Sequence, residues 1–139
     1  MDEKVFIREV ARRIACDEKR AESVTFAVFQ ELRERLTPHE GSDLAAQMPD
    51  ALKKLWTSFE RPGRSVRRVH AAEFIGDVRK IAALPDDEEA RRAVIAVFAE
   101  LQKMVGSATG VEGEAWHVMS QLPKDLKKLW LEAARDTAG

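Results

Sequence analysis

The sequence has little cysteine and no long hydrophobic run. Its single cysteine, Cys16, has no partner for an internal disulfide bond, which favours a reducing compartment. No stretch approaches the roughly 20 apolar residues that a membrane-spanning helix needs. The residues after Met1 do not resemble a signal peptide, because Asp2, Glu3 and Lys4 mix charges and no apolar run follows. We therefore expect a cytoplasmic protein without a membrane partner.

The sequence also lacks an excess of either charge, since the formal net charge is -1 at pH 7. A general nucleic-acid binder carries a positive excess, so nucleic acid is not an expected partner. The sequence further lacks an alternating strand pattern, a glycine-rich phosphate loop and a Gly-x-Ser-x-Gly nucleophile motif. The 45% of hydrophobic and 34% of charged residues are typical of a globular helical protein. A chain of 139 residues can fold as one domain without metal or disulfide bonds.

One nine-residue segment occurs twice, at 48–56 as MPDALKKLW and at 122–130 as LPKDLKKLW. Seven of the nine positions are identical or stay apolar, and the separation is 74 residues in a chain of 139. Such a repeat marks a structural unit that occurs more than once, so it decides the architecture. The sequence therefore predicts two tandem copies of one unit.

The first copy predicts four helices. Apolar residues recur at helical spacing over residues 6–14 and again over 21–36, where Asp17 can cap the second helix. Thr37-Pro38-His39-Glu40 combines an N-cap threonine, a proline and a glutamate in the order that starts a third helix. The inward face of the fourth helix is made by Leu52, Leu55 and Trp56.

The second copy repeats this pattern with small offsets. An acidic run at 86–89 opens its second helix, where negative charge favours the positive end of the helix dipole. Phe26 and Ile95 lie on the far side of the two second helices, which predicts that both helices are central. A glycine-rich loop at 106–113 has no equivalent in the first copy. The last two helices are predicted over residues 114–122 and 124–134.

Two copies are too few for an open solenoid, because such a fold usually needs three or more units to bury the apolar faces of its helices. We therefore predict an all-α fold of about eight helices, in which two tandem four-helix repeats pack as one pseudo-twofold globular bundle. This single helical domain, residues 1–139, would consist of repeat 1 at about 3–59, an arginine-rich linker at 60–70 and repeat 2 at about 71–135.

The segment LAAQMPDALKKLW at residues 44–56 carries a family resemblance, and Gln121-Leu122-Pro123 repeats its core. With the tandem helical units, these residues make the chain resemble the bacterial domain-of-unknown-function family 2267 over nearly its whole length. The glycine-rich residues 106–113 depart from the family pattern. The resemblance implies a compact helical fold. It brings no established activity and no catalytic residue.

Residues with catalytic or metal-binding chemistry are few. His39, His70 and His117 lie far apart, and none has a second ligand at a spacing typical of a metal site. Cys16 aligns with Leu84, which favours an inert, buried thiol over a nucleophile. We therefore expect no catalytic residue, no metal and no cofactor, and we do not expect an enzyme.

The linker holds all the positive excess of the chain, because residues 61–68 carry +4 while residues 1–60 and 71–139 are net negative. Its guanidinium groups suit phosphate, RNA or an acidic partner, since each can make paired contacts to an oxyanion. Alternatively the linker is a solvated connector whose arginines neutralise acidic helix faces nearby. The candidate anion-binding residues are Arg61, Arg64, Arg67 and Arg68.

The three tryptophans are candidate partner contacts, because tryptophan buries a large area at interfaces. Trp56 and Trp130 could anchor a partner helix or a second copy, or else close their own units as core residues. Trp116 has no equivalent in the first copy and is the better interface candidate. We expect a non-catalytic helical module that binds another protein or itself. The alternatives are phosphate or nucleic-acid binding through the linker, and carriage of a small apolar ligand between the helices.

Overall fold

The computed structural model describes residues 3–58, 70–105, 122 and 124–138, and within them it is all-helical with no strand. The prediction of an all-α fold is therefore confirmed. A further helix predicted over 114–122 lies outside the described residues, apart from Leu122. The seven helices are α1 (Glu3–Ile14), α2 (Glu18–Glu34), α3 (Pro38–Ala45), α4 (Asp50–Thr57), α5 (Ala71–Ile81), α6 (Asp87–Val105) and α7 (Lys124–Ala138).

The helix starts follow from side chains that cap free backbone N–H groups. Asp17 accepts a hydrogen bond from the Arg20 N–H at 2.8 Å, as predicted. Thr37 Oγ1 accepts from the Glu40 N–H at 3.1 Å and donates to the Glu40 carboxylate at 2.7 Å. These contacts fix where α2 and α3 begin.

The turns after α1 and α5 share an uncommon conformation. Ala15 and Ala83 have φ of 53° and 55°, in the left-handed region that disfavours a residue with a Cβ. The Cys16 N–H donates to the Ala11 carbonyl at 3.0 Å, and the Leu84 N–H donates to the Arg79 carbonyl at 2.9 Å. Both turns therefore close their helices with the bond that a Schellman motif uses.

Helices α2 and α6 lie at the centre, as predicted. Helix α1 packs against both of them, and so does α5, while α2 and α6 also contact each other. Helix α4 packs on α2, and α7 packs on α6. The buried apolar side chains form one cluster that draws on all seven helices. Burying each large apolar side chain stabilises the fold by about 1.5–3 kcal/mol, so this cluster is the main source of stability.

One aromatic cluster lies in the first half, residues 3–58, and another in the second half, residues 70–138. Phe29 contacts Phe6 and Trp56 edge-on, with ring centroids 6.0 and 5.4 Å apart. Phe98 contacts the aligned residues Phe74 and Trp130 at 5.9 and 4.9 Å.

The tryptophans of these clusters are core residues. Trp56 is 1% exposed and Trp130 is 2% exposed, so neither ring offers a surface to a partner. Gln102 also donates to the Trp130 carbonyl at 2.8 Å, which secures the backbone of α7 at this position. Of the two interpretations left open by the sequence, the structure therefore supports the one in which each ring closes its own half.

Candidate functional site

A groove of about 550 Å³ lies in the first half between α1, α2 and α4. We call it the α1–α2–α4 groove. Its apolar lining comes from Ile7 on α1 and from Leu52 and Leu55 on α4, and both Ile7 and Leu55 are only half-buried. The remaining lining residues are Glu3, Lys4, Arg8, Glu18, Glu22 and Ala51.

The second half links α5 to α7 at the matching end of this groove. Asp125 accepts a hydrogen bond from the Ala71 N–H at 2.8 Å and lies 3.3 Å from Nδ1 of His70. The Ala71 bond is the main reason why the pKa of Asp125 is lowered, because it favours the carboxylate. Residue 51 aligns with Asp125 and is alanine. The first half therefore has no side chain there that could make the same link.

The last helix of the second half is also longer than that of the first half. Helix α7 has 15 residues and α4 has eight. Beyond Trp130, the part of α7 with no equivalent in α4 packs against α6, where Ala133 is fully buried and Glu132 pairs with Arg91. Leu129 is accordingly 5% exposed, whereas the aligned Leu55 is half-buried. Within the described residues, the α1–α2–α4 groove is therefore more open at Leu55 than the aligned surface of the second half is at Leu129.

The walls of the groove carry charges of opposite sign. Lys4 and Arg8 lie one turn apart on α1, and Glu18 and Glu22 lie one turn apart on α2. Within the described residues, none of these four side chains forms an ion pair. Glu3 of α1 also lines the groove, so α1 contributes charges of both signs and the described residues leave five groove charges without an ion pair.

The aligned positions in the second half are satisfied internally. Asp87 aligns with Glu18 and pairs with Arg79 at 2.8 Å, and Arg91 aligns with Glu22 and pairs with Glu132. On α5, the positions that align with the two basic residues of α1 are Ala72 and Gly76, which carry no charge. The difference between the halves therefore lies in charge as well as in helix length.

Buried charges form a separate group where the two halves meet. Glu31 and Arg35 of α2 pair at 2.9 Å, and the Arg35 guanidinium lies 4.9 Å from the centre of the Phe74 ring on α5. Glu100 of α6 is fully buried and pairs with Arg13 of α1 at 2.6 Å. These contacts join helices of different halves and lie away from the groove, so they are structural.

The titratable residues that the sequence singled out occupy ordinary positions. Cys16 is half-buried, and its thiol donates to the Asp17 carbonyl at 3.3 Å. Burial raises the pKa of Cys16, which favours the protonated thiol over the more nucleophilic thiolate. His39 is exposed beside Asp43 at 3.4 Å. In the described part of the chain, no three side chains converge as metal ligands.

Several candidate residues fall outside the described ranges, so the hypotheses about them stay predictions. They are Arg61, Arg64, Arg67, Arg68, Trp116 and His117. The groove was not predicted from the sequence. Its signal was present at positions where the copies differ in charge, such as Ala51 against Asp125 and Glu22 against Arg91. The sequence also gave no sign of the contact between His70 and Asp125, which are 55 positions apart.

Within the described helices, none combines the length and the apolar character needed to cross a bilayer. Within the described residues, the fold and the groove define an all-helical protein with a groove that has an apolar floor and charged walls. The family model described as "Uncharacterized conserved protein (DUF2267)" matches residues 3–129, and the chain belongs to this family. None of the curated proteins compared with the chain is similar enough to count as a match.

Proposed function

We propose that this protein is a non-catalytic helical interaction module and that the α1–α2–α4 groove is its binding face for another protein. One observation carries the proposal: in the second half Leu129 is buried and the aligned charges are paired, whereas the described residues of the first half leave Leu55 half-buried and the groove charges without ion pairs. An open apolar groove with charged walls is the form of surface on which amphipathic helices of partner proteins bind.

We also infer that the two halves are copies of one four-helix unit in a pseudo-twofold arrangement, with an eighth helix over 114–122. Three matched features support this inference. The aromatic clusters correspond, the left-handed alanines follow α1 and α5, and Asp86 accepts from the Glu89 N–H at 2.8 Å as Asp17 does from the Arg20 N–H. In this view the groove is the place where the copies have diverged.

The setting that we propose is the bacterial cytoplasm. It is supported by the single cysteine, which fits a reducing compartment, and by the bacterial family that the sequence resembles.

A second candidate is carriage of a small apolar ligand, and the cavity volume favours it. About 550 Å³ falls in the range of small-molecule sites, which is about 300–1,000 Å³. The walls argue for a polypeptide instead, because a small apolar ligand would leave Lys4, Arg8, Glu18 and Glu22 without partners. Anion binding by the linker arginines stays a separate hypothesis.

Site-specific photocrosslinking tests the proposed function. A benzophenone side chain placed at Leu55, in the groove, is compared with one at Leu131, an apolar residue of α7 that is 46% exposed and outside the groove. In lysate of the source cells we expect the Leu55 probe to join one discrete polypeptide that the Leu131 probe does not join. Crosslinks of equal yield and identity from both positions would contradict a groove-directed interaction.

A surface variant separates binding from folding in the same experiment. Arg8→Glu reverses one charge of the α1 wall at an exposed position, so the core and the helical content should not change. We expect it to reduce the Leu55 crosslink by roughly twofold to fivefold, the size of one exposed ion pair. Unchanged crosslinking with a normal circular dichroism spectrum would argue against the α1 wall as part of the binding face.

A further inference from the structure

We propose that a small phosphate-binding site lies where α1 packs on α6, with Arg13 and Arg92 as the residues that hold the anion. The site shares no lining residue with the α1–α2–α4 groove, so it is independent of the proposed function. Its ligand is a phosphate group, carried either by inorganic phosphate or by a small phosphate monoester.

The site is a cavity of about 120 Å³ between α1 and α6. Its lining combines Arg13 of α1 with Arg92, Ile95 and Ala96 of α6. Ile95 and Ala96 are buried and lie one turn after Arg92, so part of the lining is apolar, which strengthens the attraction between an anion and a cation there. At about 30 Å³ per water, the volume corresponds to roughly four waters, which suits a phosphate group better than a larger ligand.

Arg13 is held in place by a buried carboxylate. Its Nε donates to Glu100 at 2.6 Å, and Glu100 is fully buried while the Arg13 side chain is 14% exposed. A guanidinium has more N–H donors than one carboxylate accepts, even in a bidentate pair. Arg13 therefore keeps donors for a second anion, and Glu100 fixes the position of the guanidinium that offers them.

Arg92 supplies the second cation. Its side chain is exposed, and in the described part of the chain it forms no ion pair. The buried charge of Glu100 is already offset by Arg13, so Arg92 is not needed for that purpose. The guanidinium of Arg92 is therefore open to an anion in the cavity that it lines.

The equivalent contact between α5 and α2 lacks both arginines. Arg13 aligns with Ile81, and Arg92 aligns with Ser23. The packing of a first helix on the central helix of the other half therefore does not require a cation at either position. The pair of arginines thus distinguishes the α1–α6 contact from its counterpart.

The local charge favours a doubly charged anion. Four charged side chains line the cavity or belong to the ion pairs of its lining, namely Arg13, Arg92, Glu100 and Lys103. Three are positive and one is negative, so the excess is positive. Glu9 is paired with Arg12 and adds no net charge. In the neighbouring cavity, which Arg92 also lines, the charges of Glu89 and Arg20 cancel. A phosphate group carries about −1.5 to −2 near pH 7 and matches this excess more closely than a singly charged carboxylate.

Titration by NMR tests the site. Inorganic phosphate and methyl phosphate are each added to the full ¹⁵N-labelled chain in a low-salt buffer without phosphate, and acetate at matched ionic strength is the carboxylate control. We expect both phosphates to produce saturable shifts at the backbone amides of Arg13, Arg92 and Ala96, and none at Ser23 or Ile81. Acetate should need a concentration about threefold to tenfold higher for half-saturation, because it carries a single charge.

Two variants of Arg92 and one control show whether the guanidinium holds the anion. Arg92→Gln should raise the half-saturating phosphate concentration about tenfold, through the loss of one charge-assisted contact. Arg92→Lys keeps the charge without the paired N–H geometry and should raise it about threefold. Arg8→Gln removes the same charge at an exposed position of α1 outside the cavity and should change it by less than about twofold.

The outcomes are distinct. Phosphate shifts that do not saturate, or equal half-saturation for the wild type and Arg92→Gln with a normal circular dichroism spectrum, would overturn the inference. Acetate that binds as tightly as phosphate would overturn it as well, because the ligand would then be a carboxylate. Saturation by inorganic phosphate alone supports free phosphate as the ligand, and saturation by both phosphates supports a small monoester. None of these results bears on the Leu55 crosslink, so the site and the proposed function can fail separately.

Discussion

Buried charged residues are the least expected feature of the core. Glu31 and Arg35 are almost fully buried on α2, and Glu100 is fully buried on α6. Taking such groups out of water costs several kcal/mol per ion, which is offset only when each has a close partner. Arg35 has Glu31 and the ring of Phe74, and Glu100 has Arg13. Removing one member of such a pair destabilises a protein by about 3–5 kcal/mol, because the other is left buried and charged.

Glu31 makes the stability depend on pH in a defined direction. Its pKa is raised, first by burial and then by the facing carboxyl of Asp77, while Arg35 opposes the change. A raised folded-state pKa means that the folded chain holds a proton that the unfolded chain releases. The contribution of Glu31 is therefore fully present below the ordinary carboxyl pKa of 4.5 and is lost as the pH rises through the raised value.

Urea unfolding of the wild type and of Glu31→Gln from pH 4 to pH 7 measures this effect. We expect the unfolding free energy of the wild type to fall relative to the variant as the pH rises. Glu9→Gln is the control with opposite sign, because the hydrogen bond from Arg12 lowers the pKa of Glu9. The stabilisation from Glu9 is present above pH 4.5 and is lost as the pH falls. Parallel curves for the wild type and Glu31→Gln would contradict the assignment.

At the level of single residues, the sequence predicted the apolar core well and the charged core poorly. Helical spacing identifies Phe6, Val10 and Phe29 as inward-facing, and all three are fully buried. The same spacing places Glu31 and Glu100 near the edge of the apolar stripe, seven residues after the buried Val24 and Ala93, but a charged residue there gives no sign that it is buried. They are buried because helices of the other half cover that edge, and the spacing within one helix contains no information about a neighbour from a distant segment.

At the level of the helices, the two left-handed alanines each cost stability that a glycine would recover. The Cβ of an L-residue in this region costs about 1–2 kcal/mol, and part of the gain on removing it is offset by the greater freedom of glycine in the unfolded chain. We expect Ala15→Gly and Ala83→Gly each to raise the unfolding free energy by about 0.5–1 kcal/mol.

Thermal unfolding by circular dichroism checks these two substitutions. Ala134→Gly is the matched control, because Ala134 lies within α7 and the same replacement there should lower the unfolding free energy by about 0.5–1 kcal/mol. If all three substitutions destabilise to the same extent, the left-handed conformation of residues 15 and 83 is not retained in solution.

The helices also show where a sequence-based account ends. Caps such as Asp17 and Thr37 locate helix starts because they act within three residues. The groove depends on longer-range facts: that α4 ends at Thr57, and that Asp125 reaches the first residue of α5, 54 positions away. The repeat aligned Ala51 with Asp125, but only the folded chain reveals that Asp125 bonds to α5 while Ala51 lines a groove.

In the whole molecule, each half covers the centre of the other. Helix α1 packs on α6 as well as on α2, and α5 packs on α2 as well as on α6. The ion pair between Arg13 and Glu100 and the contact of Arg35 with Phe74 cross the same boundary. Separating the halves would expose the apolar flanks of α2 and α6 and would leave buried charged side chains without their partners. Cooperative folding should therefore require both halves.

Fragment complementation tests this requirement. Residues 1–64 and 65–139 are produced separately, and we expect neither fragment alone to show a cooperative unfolding transition by circular dichroism. Mixed at micromolar concentration, they should regain helicity and a single transition, because association restores the shared core. A fragment that unfolds cooperatively by itself would mean that the halves are independent units.

Charge reversal across the boundary makes the complementation experiment specific. Arg13→Glu in the first fragment places a second carboxylate against buried Glu100, which should weaken reassociation strongly, by about 100-fold or more for a buried pair. Combining it with Glu100→Arg should restore part of the affinity, since opposite charges again face each other. Equal affinities in calorimetry for the native, singly reversed and doubly reversed pairs would mean that the halves associate without this contact. Partial rescue by the double reversal, with no rescue by Glu100→Arg alone, would instead tie the joining of the halves to the buried ion pair between α1 and α6.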